Sequence, residues 1–420
     1  DPDVFYARGN ILFLNLEYEE AISDLDKAIE GPYKDKDAYY ARGLSHYNLK
    51  HYDQAISDLD EAIQKGASDE FVFTGRGHSK YEQDDMDGAY ADLTKAIGIN
   101  GTYGLAYYYR GNTAFKKKDY EGAVKDYSEA IKNGVNNHII FNNRGKAYEL
   151  QEMYEEAIAD YTGAINIDNT YDRAFKNRGI SYYKTKNFDG AAKDFLAFEK
   201  LVPEPDKEVI GYQADSYFQQ GKFTVAITYF TKAVEAGIAD SKMFHNRAIS
   251  YLETKSYEAA IRDLDKVILE EKNNARAYMD RSRANIYLNN NGKALTDLEE
   301  AIKLEPDNAD AHFNRAILKE ENDDYEGAIL DYNQVIRITP EDASAYYNRA
   351  NAKFSADQFG SALSDIDKAI AIDAKNAAYY KVRGNIYYRL QEVDNACVNW
   401  KRSRVEGDEK VSFLIDKYCK

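Results

Sequence analysis

Tyr39-Tyr40-Ala41-Arg42-Gly43, followed twelve residues after the glycine by Ala55-Ile56 and then by Asp58, Leu59, Ala62 and Ile63, is the phrase whose reading decides the fold. It returns along the whole 420-residue chain. Its alanine anchors are Ala21, Ala55, Ala89, Ala123, Ala157, Ala191, Ala226, Ala260, Ala294, Ala328, Ala362 and Ala396. Every interval is 34 residues except one of 35, between Ala191 and Ala226. Twelve such units run from Pro2 to Lys410, leaving a short tail and no length for a catalytic domain. Within a unit, Ala55, Leu59, Ala62 and Ile63 fall on one helical stripe. The polar turn around Lys50-His51 separates that helix from an earlier one. A helical hairpin of this size cannot bury both faces alone, so the units must stack into a solenoid.

The phrase resembles the tetratricopeptide repeat (TPR): an aromatic, a small residue four positions on, and an alanine four residues before an apolar or aromatic partner in the second helix. The first aromatic is Phe5, Tyr39, Phe73, Tyr107, Phe141, Phe175, Phe244, Tyr278, Tyr346 and Tyr380, with Ile210 and His312 departing. The resemblance covers the chain from end to end. It implies an all-α fold: a right-handed TPR superhelical solenoid of twelve 34-residue helix-turn-helix repeats plus a C-terminal capping helix. The repeats form two blocks, 2–205 and 206–410, with the cap at 408–420. The seam between blocks is marked by Phe198-Glu199 in place of Ala-Ile, by Pro203 and Pro205, and by the inserted residue.

Charge inside the repeat departs from the family pattern. Arg8, Arg42, Arg76, Arg110, Arg144, Arg178, Arg247, Arg281, Arg315, Arg349 and Arg383 stand where a leucine is usual, and Asp24, Asp58, Asp92, Asp126, Asp160, Asp194, Asp263, Asp297, Asp331 and Asp365 follow three residues after the alanine anchor. These arginines are either a ladder of ligand contacts or one half of a bridge that ties each hairpin. The seventh unit favours the bridge, because it lacks both members and carries Gln213 and Tyr229. Arg42 with Asp58 and Arg144 with Asp160 are therefore expected as structural pairs.

Net charge is −17 with a pI near 5.0, which argues against a chain that neutralises phosphates, so no nucleic-acid partner is expected. No apolar run approaches the length of a membrane-spanning helix. Because residue 1 is Asp1, a removed N-terminal signal or lipid anchor is an open expectation. The six histidines fall at different repeat positions without a metal-binding motif. Gly98, Gly101 and Gly104 read as an inter-repeat loop rather than a phosphate cradle. No enzyme activity, cofactor or metal is expected.

Binding surface is what remains. By family resemblance, the first helices line a concave groove. Tyr6, Tyr40 and Tyr108 share one inward position, while Phe13, Tyr47, Tyr81 and Phe115 further along the same helices read chiefly as inter-repeat packing. Asn143, Asn177, Asn246, Asn314 and Asn348 each precede the arginine. In related superhelices an asparagine there holds extended peptide backbone, since an amide both donates and accepts. The resemblance thus implies a protein- or peptide-binding scaffold within a multiprotein assembly; the alternative is a structural subunit that assembles through its edges or ends with no groove ligand.

The two cysteines, Cys397 and Cys419, flank a chain reversal at Gly407-Asp408 at equal distances. Residues equidistant from a reversal lie opposite one another, which permits a disulfide that staples the cap to the last repeat. The alternative is two reduced, packed thiols. The phrase Ala396-Cys397 with Trp400 and Tyr418-Cys419 resembles the tail of exported bacterial TPR proteins. That resemblance implies a bacterial cell envelope or periplasmic location, with the cytoplasm as the alternative.

Overall fold

The computed structural model describes residues 1–204 and 206–419. Pro205 and Lys420 lie outside the described residues, so the seam prolines are represented by Pro203 alone and the cap by residues up to Cys419. Among the described residues every regular element is a helix. The first three hairpins are α1 (Pro2–Leu14) with α2 (Tyr18–Glu30), α3 (Lys36–Asn48) with α4 (Tyr52–Gln64), and α5 (Glu70–Glu82) with α6 (Met86–Ile99). Next come α7 (Gly104–Lys116) with α8 (Tyr120–Lys132), α9 (His138–Glu149) with α10 (Tyr154–Ile167), and α11 (Asp172–Lys184) with α12 (Phe188–Leu201). The seventh to ninth repeats hold α13 (Lys207–Gln219), α14 (Phe223–Glu235), α15 (Ser241–Glu253), α16 (Tyr257–Glu270), α17 (Ala275–Tyr287) and α18 (Asn291–Leu304). The last three hold α19 (Ala309–Glu321), α20 (Tyr325–Ile338), α21 (Ala343–Ser355), α22 (Phe359–Ile372), α23 (Ala377–Arg389) and α24 (Val393–Val405). Gly98 therefore closes α6 and Gly104 opens α7; of the three glycines read as loop, only Gly101 lies between helices.

Short polar side chains start many of these helices. Asp35 accepts from the Ala38 amide at 2.9 Å, and Asn137 from the Ile140 amide at 3.0 Å. Each hairpin turn is made by one residue in the left-handed region, such as Lys50 at φ 62°. There the His51 amide donates to the His46 carbonyl at 2.8 Å, so the orphan carbonyl of the first helix is satisfied without a glycine.

The chain forms two compact units, Asp1–Gln220 and Gly221–Lys420. The division falls between the two helices of the seventh repeat, after α13. Within a unit, second helices pack on the next hairpin's first helix. Successive first helices also touch, α1 with α3 and on to α13 in the first unit, and α15 with α17 and α21 with α23 in the second. Among the described residues no comparable contact joins successive second helices. The first helices therefore form the inner row of each unit.

The alanine anchors are fully buried, as are Tyr127, Tyr161, Tyr332 and Trp400 of the second helices. Fully burying a side chain of that size contributes about 1.5–3 kcal/mol. Room for the rings comes from the small residue opposite: a Cβ on Gly145 would sit 2.9 Å from the Tyr161 ring.

Charge pairs bind each hairpin internally. Arg144 donates from Nε and Nη2 to Asp160 at 2.7 and 2.6 Å, and Arg42 to Asp58 at 2.8 and 2.6 Å. The same forked contact forms for Arg76, Arg110, Arg178, Arg247, Arg281, Arg315 and Arg349 with their aspartates. Nη1 reaches backward into the preceding hairpin, to Asp26 from Arg42 at 2.7 Å and to Ser128 from Arg144 at 3.0 Å. One guanidinium thus ties three helices of two adjacent repeats. In the seventh repeat Gln213 is fully buried, and neither atom of its amide has a hydrogen-bond partner among the described residues.

The cap starts later, as an α-helix, than its sequence suggests. Gly407, at φ 109°, ends α24. Asp408 caps a 3-10 turn, Glu409–Val411, before α25 (Ser412–Tyr418). Val411 and Ile415 cover Ala396 and Trp400, and Cys397 is bonded to Cys419 with Cα atoms 5.5 Å apart.

Candidate functional site

The inner row is built from the positions one, two, five and eight residues after the first aromatic of each repeat, half-buried in some repeats and buried in others. In the first unit the N-terminal part of this row is aromatic and largely satisfied by itself. The His78 ring stacks on Tyr109 with centroids 3.9 Å apart, and the Tyr47 hydroxyl lies 3.1 Å from His78 Nδ1 and 3.3 Å from the Tyr109 hydroxyl. Burial holds His78 below the ordinary imidazole range despite the neighbouring Glu82 carboxylate. Tyr6, Tyr40 and Tyr108 are all half-buried, each against different neighbours. Tyr6 stacks on Tyr33 at 4.5 Å, Tyr40 meets Phe13 edge-on, and Tyr108 lies against Tyr109 and Tyr127.

Amides take over at α7. Asn143 Nδ2 donates to Asn112 Oδ1 at 3.4 Å, and Asn177 Nδ2 to Asn142 Oδ1 at 3.0 Å, so four amides form a row across α7, α9 and α11. The Tyr127 hydroxyl fixes Asn112 by donating to its Oδ1 at 2.8 Å. A cavity of about 230 Å³ opens here, with Tyr81, Phe115 and Tyr127 as its aromatic wall and Asn112, Asn142, Asn143 and Lys146 as its polar one. Sequence reading missed Asn112 and Asn142. Asn142 holds the repeat position of Tyr6, Tyr40 and Tyr108, so alignment by register would have found it.

In the second unit Asn246, Asn314 and Asn348 are half-buried on α15, α19 and α21. Among the described residues, the side chains of Asn314 and Asn348 make no hydrogen bond to another side chain.

The eighth position after the aromatic is apolar or aromatic in ten repeats and acidic in two, Glu149 and Glu320. Glu149 is fully partnered: Lys146 Nζ lies at 2.6 Å and the Tyr161 hydroxyl donates at 2.8 Å. At the position of Lys146, the tenth repeat has Ile317. Its lysine, Lys319, turns instead to the core aspartate Asp331 at 2.8 Å, beside Arg315 and His312 Nδ1. Burial pushes Asp331 up, but those three groups outweigh it and hold it below the ordinary carboxylate range. Asp160 has Arg144 as its cation, and there burial prevails and raises it. Glu320, left with no cation, is pushed by burial up to about 7.

Family models described as tetratricopeptide repeat match residues 6–70, 176–241 and 212–276, residues 104–134, and residues 139–171. A model described as TPR repeat matches residues 283–323 and 321–357. No curated protein matches the chain. Among solved structures, the chain is similar to a tetratricopeptide repeat protein from Parabacteroides merdae ATCC 43184, at 21% identity over 59% of this chain and 99% of that one, with a TM-score of 0.42. It is similar to MamA from Desulfovibrio magneticus RS-1, at 22% identity over 43% and 97%, with a TM-score of 0.38. A third is YrrB, described as a TPR protein with an unusual peptide-binding site, at 22% identity over 41% and 90%, with a TM-score of 0.38.

Proposed function

This chain belongs to the tetratricopeptide repeat family, a family of protein-interaction scaffolds, and from that premise we propose that it is a non-catalytic scaffold whose inner row of first helices holds extended partner segments within a multiprotein assembly. The observation that carries this reading is the set of inner-row amides, Asn112, Asn142, Asn143 and Asn177 in one unit and Asn314 and Asn348 in the other. Amides at successive repeats match the alternating donors and acceptors of an extended main chain and are indifferent to its side chains. The test is replacement of Asn143, Asn177, Asn246, Asn314 and Asn348 by alanine, with partner recovery from native lysate and circular dichroism in parallel. Loss of an extended client with unchanged helix content is the expected result. Unchanged recovery rejects the groove.

A second reading is a structural subunit that assembles through its edges or ends with no groove ligand. Recovery of a fixed stoichiometric subunit by the asparagine variant supports this reading.

We also propose an oxidising compartment, in keeping with the Cys397–Cys419 bond that pins the cap. Titration of thiols in unfolded, non-reduced protein tests it: no free thiol is expected, and two would reject it. No helix among the described residues is long and apolar enough to cross a membrane.

A further inference from the structure

The two acidic residues at the eighth position of the inner row, Glu149 and Glu320, are partnered differently. Glu149 closes an internal circuit with Lys146 and Tyr161. Glu320 occupies the same place in the tenth repeat, and Tyr332 the place of Tyr161. Glu320 Oε1 and the Tyr332 hydroxyl are both sealed from solvent; the hydroxyl faces the carboxyl and partly offsets the effect of its burial, but among the described residues neither has a hydrogen bond of regular geometry. Glu320 as a residue is only half-buried, and its second oxygen, Oε2, is not among the sealed atoms. The lysine that completes the circuit in the fifth repeat is replaced by Ile317, a shorter, apolar side chain without a charge.

We propose that Glu320 is the receptor for a primary ammonium group, the side chain of a client lysine, which enters from the inner row and takes the place that Lys146 occupies beside Glu149. The molecule itself displays the liganded form of this site in its fifth repeat. The neighbours suit such a ligand. Asn314 on the same helix and Asn348 on α21 offer free amides to a client backbone, and Ile317 supplies an apolar surface for a lysine stem. An ammonium so placed regains for Glu320 the counter-charge that a buried carboxylate requires. The proposal rests on the groove reading for its client, but the site can be tested without one.

The probe is n-butylammonium, the lysine side chain without its backbone, with n-butanol as its neutral isostere. Both are titrated against the full chain by saturation-transfer NMR at about 150 mM salt, where diffuse attraction to an acidic surface is screened. Three results are expected. The wild type binds n-butylammonium at least tenfold more tightly than Glu320→Gln does. Ile317→Lys, which plants an internal competitor, abolishes the binding. n-Butanol shows no dependence on either variant. Binding also depends on pH with a definite sign. The groups that face Glu320 are Tyr332 and Tyr325, with Asp331 and Asp323 behind them, and none is a cation. The carboxyl is half ionised near pH 7, so affinity falls about tenfold from pH 8 to pH 6 as the charged form is lost. Equal binding by wild type and Glu320→Gln overturns the proposal, as does n-butanol binding as well as the ammonium. The groove reading fails on its own test, the asparagine variant, to which this probe is indifferent.

Discussion

The fifth and tenth repeats are built on one template and distribute one lysine in opposite ways. In the fifth, Lys146 stands two residues after Arg144 and serves the inner row, so Glu149 is paired while Asp160 must rely on a single arginine. In the tenth, Lys319 stands four residues after Arg315 and serves the core, so Asp331 has three partners while Glu320 has no cation. A shift of two positions along a helix, roughly half a turn, decides whether a cation stabilises the scaffold or the surface that meets a client. The tenth repeat spends its charge on rigidity and leaves a carboxyl in need of a partner.

The largest expected effect compares the two core aspartates. Asp331→Asn leaves Arg315, Lys319 and His312 facing one another and should cost about 3–5 kcal/mol in denaturant unfolding. Asp160→Asn should cost no more than about 1–2 kcal/mol, because Arg144 retains an amide acceptor. The twelfth repeat already makes that link, Arg383 Nε donating to Asn399 at 2.6 Å. Equal costs would break the comparison.

The next effect is a pH dependence of opposite sign at two positions of one hairpin. The folded value of Glu320 is raised, so its burden on stability appears as pH climbs from the unfolded carboxylate range toward about 7. Glu320→Gln should therefore gain about 1–2 kcal/mol at pH 8 and almost nothing below pH ~4.5. Asp331, whose folded value is lowered, contributes stability above the unfolded range and loses it as pH falls through its folded value. Melting curves of the two variants across pH separate these signs; parallel curves would contradict them.

The smallest effect tests whether one lysine is enough to convert one repeat into the other. Lys146→Ile should cost only about 0.5–1 kcal/mol in denaturant unfolding, because the lysine it removes is partly exposed. A variant as stable as the wild type would show that Lys146 is not the counter-charge of Glu149.

Much of this was legible from spacing. The 34-residue interval of the alanine anchors requires stacked hairpins, and the joint replacement of Arg and Asp by Gln213 and Tyr229 points to a pair in contact. The backward reach of most of these arginines was harder to see, although its acceptors, such as Asp26, Asp60, Thr94 and Ser128, keep register two residues after the core aspartate. Lys319 and Glu320 were not legible at all. Neighbouring in sequence, they point to different layers of the fold, and only the paths of α19 and α20 reveal that one lysine is diverted to Asp331. The use of His312 was hidden for a similar reason. It breaks the aromatic pattern because it bonds Asp331 and the Pro306 carbonyl rather than packing as a ring.

The central claim, that the inner row is the client surface, is tested most directly by hydrogen exchange of the full chain with and without peptides selected on it from a random extended library. The account predicts that added protection maps to the first helices, chiefly α9, α11, α19 and α21, and disappears when the five asparagines become alanine. Protection confined to second helices or to the exposed face of α1, unchanged in the asparagine variant, would contradict it.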